Sequence, residues 1–204
     1  MRIYVIRHGE TLLNYKGVLQ GWLDVSLNEK GKEEARKTGE GLKGIVFKKA
    51  FSSPLIRAKE TTKIILEASG NLTTPLSVEN RIKEINFGEY EGQVYKKPNG
   101  EIDNEDIKKF FKDPLQGDGA TKGGETTYQV MERTQSFIKE LASINDDNNY
   151  LVVTHGFATR AMLNFLYDDP SSFWQNGVPS NCVVNVIYAK DNKIYLEKKD
   201  ISLL

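Results

Sequence analysis

The chain has one cysteine, two histidines and six prolines in 204 residues, and its 28 lysines and arginines are matched by 28 acidic residues. A single cysteine, Cys182, rules out an internal disulfide. Its neighbours, NCVVNVIY, read as a strand around a buried thiol rather than as the setting of a nucleophile. The charge balance supplies no global field toward nucleic acid or an anionic membrane, so recognition of an anion has to be local. No run approaches the roughly 18 apolar residues of a membrane span. The opening MRIYVIRHGE holds too short an apolar stretch for a signal peptide, and a cytoplasmic location is expected. A Walker loop is missing as well, because GDGATKGGET has glycines and a lysine without the required spacing. Nor is there the Cys/His/Asp cluster of a zinc site, so no metal and no cofactor are expected.

What is present is an ordinary globular composition, 39% hydrophobic and 27% charged. The length fits one domain, residues 1–204, with an ample core. Apolar, β-branched runs at Ile3–Ile6, Ile45–Phe51, Leu151–Thr154 and Val183–Tyr188 read as strands, with Lys193–Glu197 as a final one. Between them lie segments of helical period. SLNEKGKEEARKTGEGLKG offers Ser26 or Asn28 as a cap and turns Leu27, Ala35 and Leu42 inward; SPLIRAKETTKIILEASG puts Pro54 near a first helical position and Gly70 at the stop. ETTYQVMERTQSFIKELASI spaces Val130, Phe137, Ile138 and Leu141 along one face, and GFATRAMLNFLY is rich in apolar residues. Strands alternating with helices predict an α/β sandwich on a mainly parallel sheet. The polar, glycine-rich stretch 88–124 breaks the pattern. It reads as a lid-like excursion over the sheet's edge with one short helix near Asp103–Lys112, and loops this long are uncommon without a function.

Both histidines close a strand and precede a glycine: IYVI-RHG and LVVT-HG. In a parallel α/β sheet, ligands collect outside the carboxyl ends of the strands, and glycine permits close approach to a ligand and a tight turn. His8 and His155 are therefore expected to share a site. SSPLIRAKETT places Arg57 in the first turn of a helix, where free N–H groups and the dipole suit an anion and a guanidinium fork can engage two phosphate oxygens. Arg7 adds a second cation. In RIKEINFGEYEG, Glu84 follows a short predicted strand, a setting able to bury a carboxyl group and raise its pKa toward that of a proton donor. Two arginines, two histidines and one carboxyl describe a phosphoryl-transfer site. The cationic surround disfavours imidazolium and leaves one imidazole free to attack phosphorus.

RHGET with Asn14 beyond it, SSPLIRAKETT, EINFGEYEG, GGET and THG resemble, in order and across nearly the whole chain, the signature blocks of the histidine phosphatase superfamily, the phosphoglycerate mutase-like family. The resemblance implies a three-layer α/β/α sandwich. It implies His8 as the nucleophile that becomes phosphohistidine, and Arg7, Arg57 and His155 as holders of the phosphoryl group. Asn14 would add a hydrogen bond, and Glu84 would serve as acid and then base. Gln20, Gly21, Ser53 and Gly156 fall near the substrate or phosphate. The family's cofactor-dependent mutases carry a glutamate–arginine–histidine–tyrosine–glycine run and an arginine-bearing insertion. This chain has EINFG followed by EYEG, and lysines but no arginine in 88–124. It is similar instead to the phosphatase branch, which includes broad-specificity acid-type and α-ribazole phosphatases. The expected activity is hydrolysis of a small phosphorylated metabolite, with no nucleic acid and no membrane as partner. The alternatives are a phosphoglycerate mutase or a non-catalytic phosphate-binding member. Whether two copies pair as a homodimer is left open.

Overall fold

The computed structural model describes residues 1–95, 97, 101–102, 104–116 and 122–204. Strands β1 (Arg2–Arg7), β2 (Phe47–Ser52), β3 (Leu76–Val78), β4 (Asn149–Thr154), β5 (Val184–Lys190) and β6 (Lys193–Ile201) form one sheet in the order β3-β2-β4-β1-β5-β6. The pairs β1–β4, β2–β4 and β2–β3 are parallel. β5 runs antiparallel to both β1 and β6, closing one edge of the otherwise parallel sheet with a hairpin. Asp191 and Asn192, at φ 51° and 63°, make its two-residue turn, the left-handed geometry that matches the twist of paired strands.

Alternation along β4 builds the layers. Tyr150 and Val152 join Ile3, Val5, Phe137, Ile138, Leu141 and Met162 on one face, where α5 (Thr127–Ala142) and α6 (Gly156–Leu163) lie. Leu151 and Val153 join Ile6, Ala35, Leu42, Ala58 and Ile65 on the other, under α2 (Glu29–Gly41) and α3 (Ile56–Ala68). Side chains that alternate into two cores require a covering layer on each face. The expected sandwich is present.

The helices start where capping groups allow. Asn28 Oδ1 accepts from Gly31 N at 2.8 Å and caps α2, while Thr126 and Gln129 form a reciprocal capping box on α5. α3 begins later than expected. Leu55 holds its N-cap and Pro54 precedes the helix, whereas Gly70, at φ +79°, ends it as expected. Cys182 is buried as expected but stands in a left-handed turn, φ +54°, just before β5. Burial pushes its thiol up to about 12, which leaves it inert.

The ends of the 88–124 excursion are tied together. Glu89 N donates to Lys122 O at 3.0 Å, and Glu125 N to Asn86 O at 2.9 Å. Its helix α4 (Glu105–Lys112) lies where one was expected, Asp103 falling outside the described residues. The polar reading of this stretch was incomplete. Ile107, Phe110 and Phe111 turn inward onto Phe87, Phe157 and Trp174 in a third apolar cluster. Tyr95 and Phe111 line the same cleft as Arg7 and His8, so the described part of the excursion covers the carboxyl end of the sheet rather than its lateral edge.

Candidate active site

β1 and β4 are neighbours in register, Arg7 opposite Thr154, so the residues just past them emerge side by side. The His8 and His155 rings lie 5.1 Å apart between centroids. His8 Nδ1 is 2.7 Å from the carbonyl oxygen of Gly9, an acceptor, which puts the imidazole proton on Nδ1 and a lone pair on Nε2. Arg57 Nε donates to that Nε2 at 3.2 Å. Burial, then Arg57 and Arg7, holds the His8 imidazole well below its ordinary pKa, and burial with Arg57 does the same for His155. Both rings are neutral at pH 7. The backbone of His8 is fixed from two sides, by Thr154 O accepting its N–H at 2.9 Å and by Asn181 Nδ2 donating to its carbonyl at 2.8 Å.

Arg57 is shared between the site and a loop. Its two terminal nitrogens donate to Leu23 O and Gly21 O, each at 2.8 Å, so Gly21 meets Arg57 through its carbonyl. Burial lowers this guanidinium to about 10, which still leaves it charged at pH 7. The α3 N-terminus is not an open anion site, because Ile56 N donates to Asp24 Oδ1 at 2.6 Å. Arg7 donates from Nη1 to Pro179 O, and its buried Nε has no hydrogen-bond partner among the described residues. Neither glycine after a histidine has free room for a side chain, and Gly156 also lines the same cleft as His8. A Cβ on Gly9 would lie 2.3 Å from Gly31 O, and one on Gly156 would lie 3.0 Å from Val178 Cγ1.

Glu84 is 9% exposed and caps α6. Its Oε1 accepts from Ala158 N at 2.9 Å and Ile85 N at 3.0 Å, and its Oε2 accepts from Phe157 N at 3.1 Å. The burial expected of this carboxyl is present. The three main-chain donors that hold it, two of them at a helix N-terminus, were not visible in the sequence. Its backbone is clamped in turn. Arg133 donates to the carbonyls of Arg81, Lys83 and Glu84 at 2.7–3.0 Å and pairs with Glu125 at 2.8 Å, while Trp22 Nε1 donates to Glu84 O at 2.9 Å. Thr154 Oγ1 donates to Ile82 O at 2.7 Å.

Arg7, His8, Asn14, Gln20, Gly21, Arg57, Glu84 and Gly156 line one cleft of about 60 Å³. Asn14 sits in the short helix α1 (Leu12–Tyr15), where its Oδ1 accepts from Thr11 N at 3.2 Å. Gln20 is buried, with Oε1 2.9 Å from Thr11 Oγ1. His155 and Ser53 are not among the lining residues. His155 Nε2 is 2.7 Å from Ser53 Oγ, and the buried His155 Nδ1 has no hydrogen-bond partner among the described residues. Asn181, Arg133, Glu125, Asp24 and Trp22 are site-building residues that sequence reasoning missed. Glu125 lies inside the GGET block, but no spacing links it to Arg133. Among the described residues no group of three or more His, Cys, Asp or Glu could hold a metal ion, and no helix is long and apolar enough to cross a membrane.

Residues 3–201 match the histidine phosphatase superfamily (branch 1). A broad-specificity phosphatase of Saccharomyces cerevisiae is 30% identical over 98% of this chain and 84% of its own length. A 2,3-bisphosphoglycerate-dependent phosphoglycerate mutase of Gloeobacter violaceus is 30% identical over 79% of this chain and 73% of its own. The solved structure of Bacillus stearothermophilus YhfR superposes with a TM-score of 0.87 at 25% identity, covering 99% of this chain and 98% of that one.

Proposed function

The chain belongs to the histidine phosphatase superfamily (branch 1), and on that footing we propose that it is a metal-independent phosphomonoester hydrolase working through a phosphohistidine on His8. The observation that carries this reading is the state of His8. It is a buried, neutral imidazole whose proton is held on Nδ1 by Gly9, with Nε2 turned to a guanidinium in a cleft that also holds Arg7 and Glu84.

The Nε2 lone pair attacks phosphorus, the bond from phosphorus to the ester oxygen breaks, and the departing alkoxide takes a proton from Glu84. A carboxylate has about four lone-pair positions. Oε1 already serves two N–H donors and Oε2 only one, so Oε2 carries the transferable proton. In the second half, water attacks the phosphohistidine, Glu84 takes its proton, and inorganic phosphate leaves with Nε2 restored. Arg7 and Arg57 offset the charge of the transferring group. His155 joins them when Ser53 donates to its Nε2, which places the ring proton on Nδ1, an atom with no hydrogen-bond partner among the described residues. Asn14 adds its amide N–H from the cleft wall.

Hydrolysis rather than mutase action is supported by EINFG in place of the mutase run and by the lack of arginine in 88–124. A mutase has to keep its phosphohistidine from water while an intermediate turns over. The test is an assay with EDTA present, offering p-nitrophenyl phosphate and, separately, 3-phosphoglycerate with catalytic 2,3-bisphosphoglycerate. Release of phosphate without 2-phosphoglycerate is expected. Formation of 2-phosphoglycerate faster than phosphate would assign the chain to the mutases.

A further inference from the structure

The peptide group that sets the tautomer of His8 is itself held from behind. Through its carbonyl, the Gly9–Glu10 unit accepts from His8 Nδ1 at 2.7 Å. On its other side, the Glu10 N–H donates to Glu34 Oε2 at 3.0 Å. The carbonyl and N–H of a planar trans peptide point in opposite directions, so carboxylate, peptide and imidazole stand in a line. Two glycines allow it. Helix α2 passes so close to this loop that a Cβ on Gly31 would lie 2.1 Å from Glu10 O, and one on Gly9 would meet Gly31 O at 2.3 Å. Glu34 follows Gly31 by three residues and so shares its face of the helix. The main-chain groups on either side are also taken. Gly9 N donates to Thr61 Oγ1 at 3.0 Å, and Asn28 N donates to Glu10 O at 3.0 Å.

Glu34 does not line the cleft. Its side chain is 12% exposed, with Oε1 3.7 Å from Lys30 Nζ, and its path to the reacting atoms runs through the Gly9–Glu10 peptide. In the hydrolase reading, Nε2 forms its bond to phosphorus while the ring keeps the Nδ1 proton. The imidazole therefore passes from neutral to cationic as the bond from phosphorus to the ester oxygen breaks. Hydrogen bonds in series polarise one another, and a fixed negative charge at the far end of such a series favours the cation that develops. Resting on that reading, we propose that Glu34 is a positioning residue for His8. It holds the Gly9–Glu10 carbonyl toward Nδ1 and, through that peptide, stabilises the ring charge that builds during phosphoryl transfer.

The experiment compares wild type with Glu34→Gln, which keeps volume and an acceptor without charge, and with Glu34→Met, which removes both acceptor and charge. With EDTA present, kcat/KM for p-nitrophenyl phosphate reports the steps up to phosphorylation of His8. It is expected to fall about fivefold in Glu34→Gln and about 10²-fold in Glu34→Met, as loss of a charge-assisted and then of any hydrogen bond would give. The inhibition constant of inorganic phosphate is expected to stay unchanged, because Arg7 and Arg57 keep their contacts. Nitrogen-15 NMR of the two histidines, with His8 assigned by its loss in His8→Ala, is expected to show the Nδ1–H form in wild type and the Nε2–H form appearing in Glu34→Met. An unchanged kcat/KM in either variant, or a loss matched by weaker phosphate inhibition with the tautomer intact, overturns the role of Glu34 and leaves the hydrolase reading standing. If the methionine variant does not fold, the glutamine variant decides by the same measures. Wild-type turnover with no phosphoryl group on His8 overturns both.

Discussion

His8 and Glu84 show how two ordinary side chains acquire defined states from their immediate partners. One carbonyl, Gly9 O, fixes the tautomer of His8, and burial with two guanidiniums keeps the ring neutral. Three N–H groups hold Glu84 and leave one position on Oε2 open. A general acid matters most when the leaving group is basic. Glu84→Gln is therefore expected to lower kcat on alkyl phosphates by about 10²–10⁴-fold and on p-nitrophenyl phosphate by much less; equal losses on both would remove Glu84 from the donor role. His8 was legible in the sequence as a histidine at a glycine turn after a strand, and Glu84 through its block's resemblance to the family, although a 3-10 turn, Asn80–Ile82, and not the expected strand leads into it. The partners that set their states were not. Asn181 lies 173 residues from His8, and Arg133 lies 49 from Glu84, distances at which no periodicity or spacing operates.

At the level of elements, the site is a meeting of β1, β4, α3, α6 and the segment between β3 and α5. The first four could be placed because strand runs and helical faces are short-range patterns, and the register of β1 on β4 brings the histidines together. The α3 N-terminus departs from expectation because Asp24, from a loop with no recognisable signal, takes the anion position. The excursion departs because α4 buries an apolar face that glycines and charges around it obscure in the sequence. Arg133 on α5 joins two elements, bonding three carbonyls of the 81–84 segment while Glu125 holds its other edge. It is a positioning residue, acting on Glu84 through the backbone. Arg133→Met is expected to slow alkyl phosphates about tenfold more than p-nitrophenyl phosphate. A uniform loss across leaving groups would mean that the clamp supports the fold alone.

For the whole molecule, neutral buried histidines link the site to stability. The folded-state pKa values of His8 and His155 lie below the ordinary value near 6.5. Between those folded values and 6.5 the unfolded chain binds more protons than the folded one, so stability is full above about pH 6.5 and is lost as pH falls below it. The chain has no other histidine, and few other groups titrate in that range. The urea midpoint is expected to fall between pH 7.5 and 5.5, and His155→Gln is expected to flatten that slope; a midpoint independent of pH across this window would contradict the buried neutral state of the pair.

The central claim is that His8 carries the phosphoryl group between substrate and water. It is tested most directly by quenching p-nitrophenyl phosphate turnover in alkaline denaturant with EDTA present and locating the phosphoryl group by mass spectrometry. A phosphorylated peptide containing His8, absent in His8→Ala and lost on acid treatment, is the predicted result. Steady turnover with no phosphoryl group on His8, or with turnover retained in His8→Ala, would contradict it.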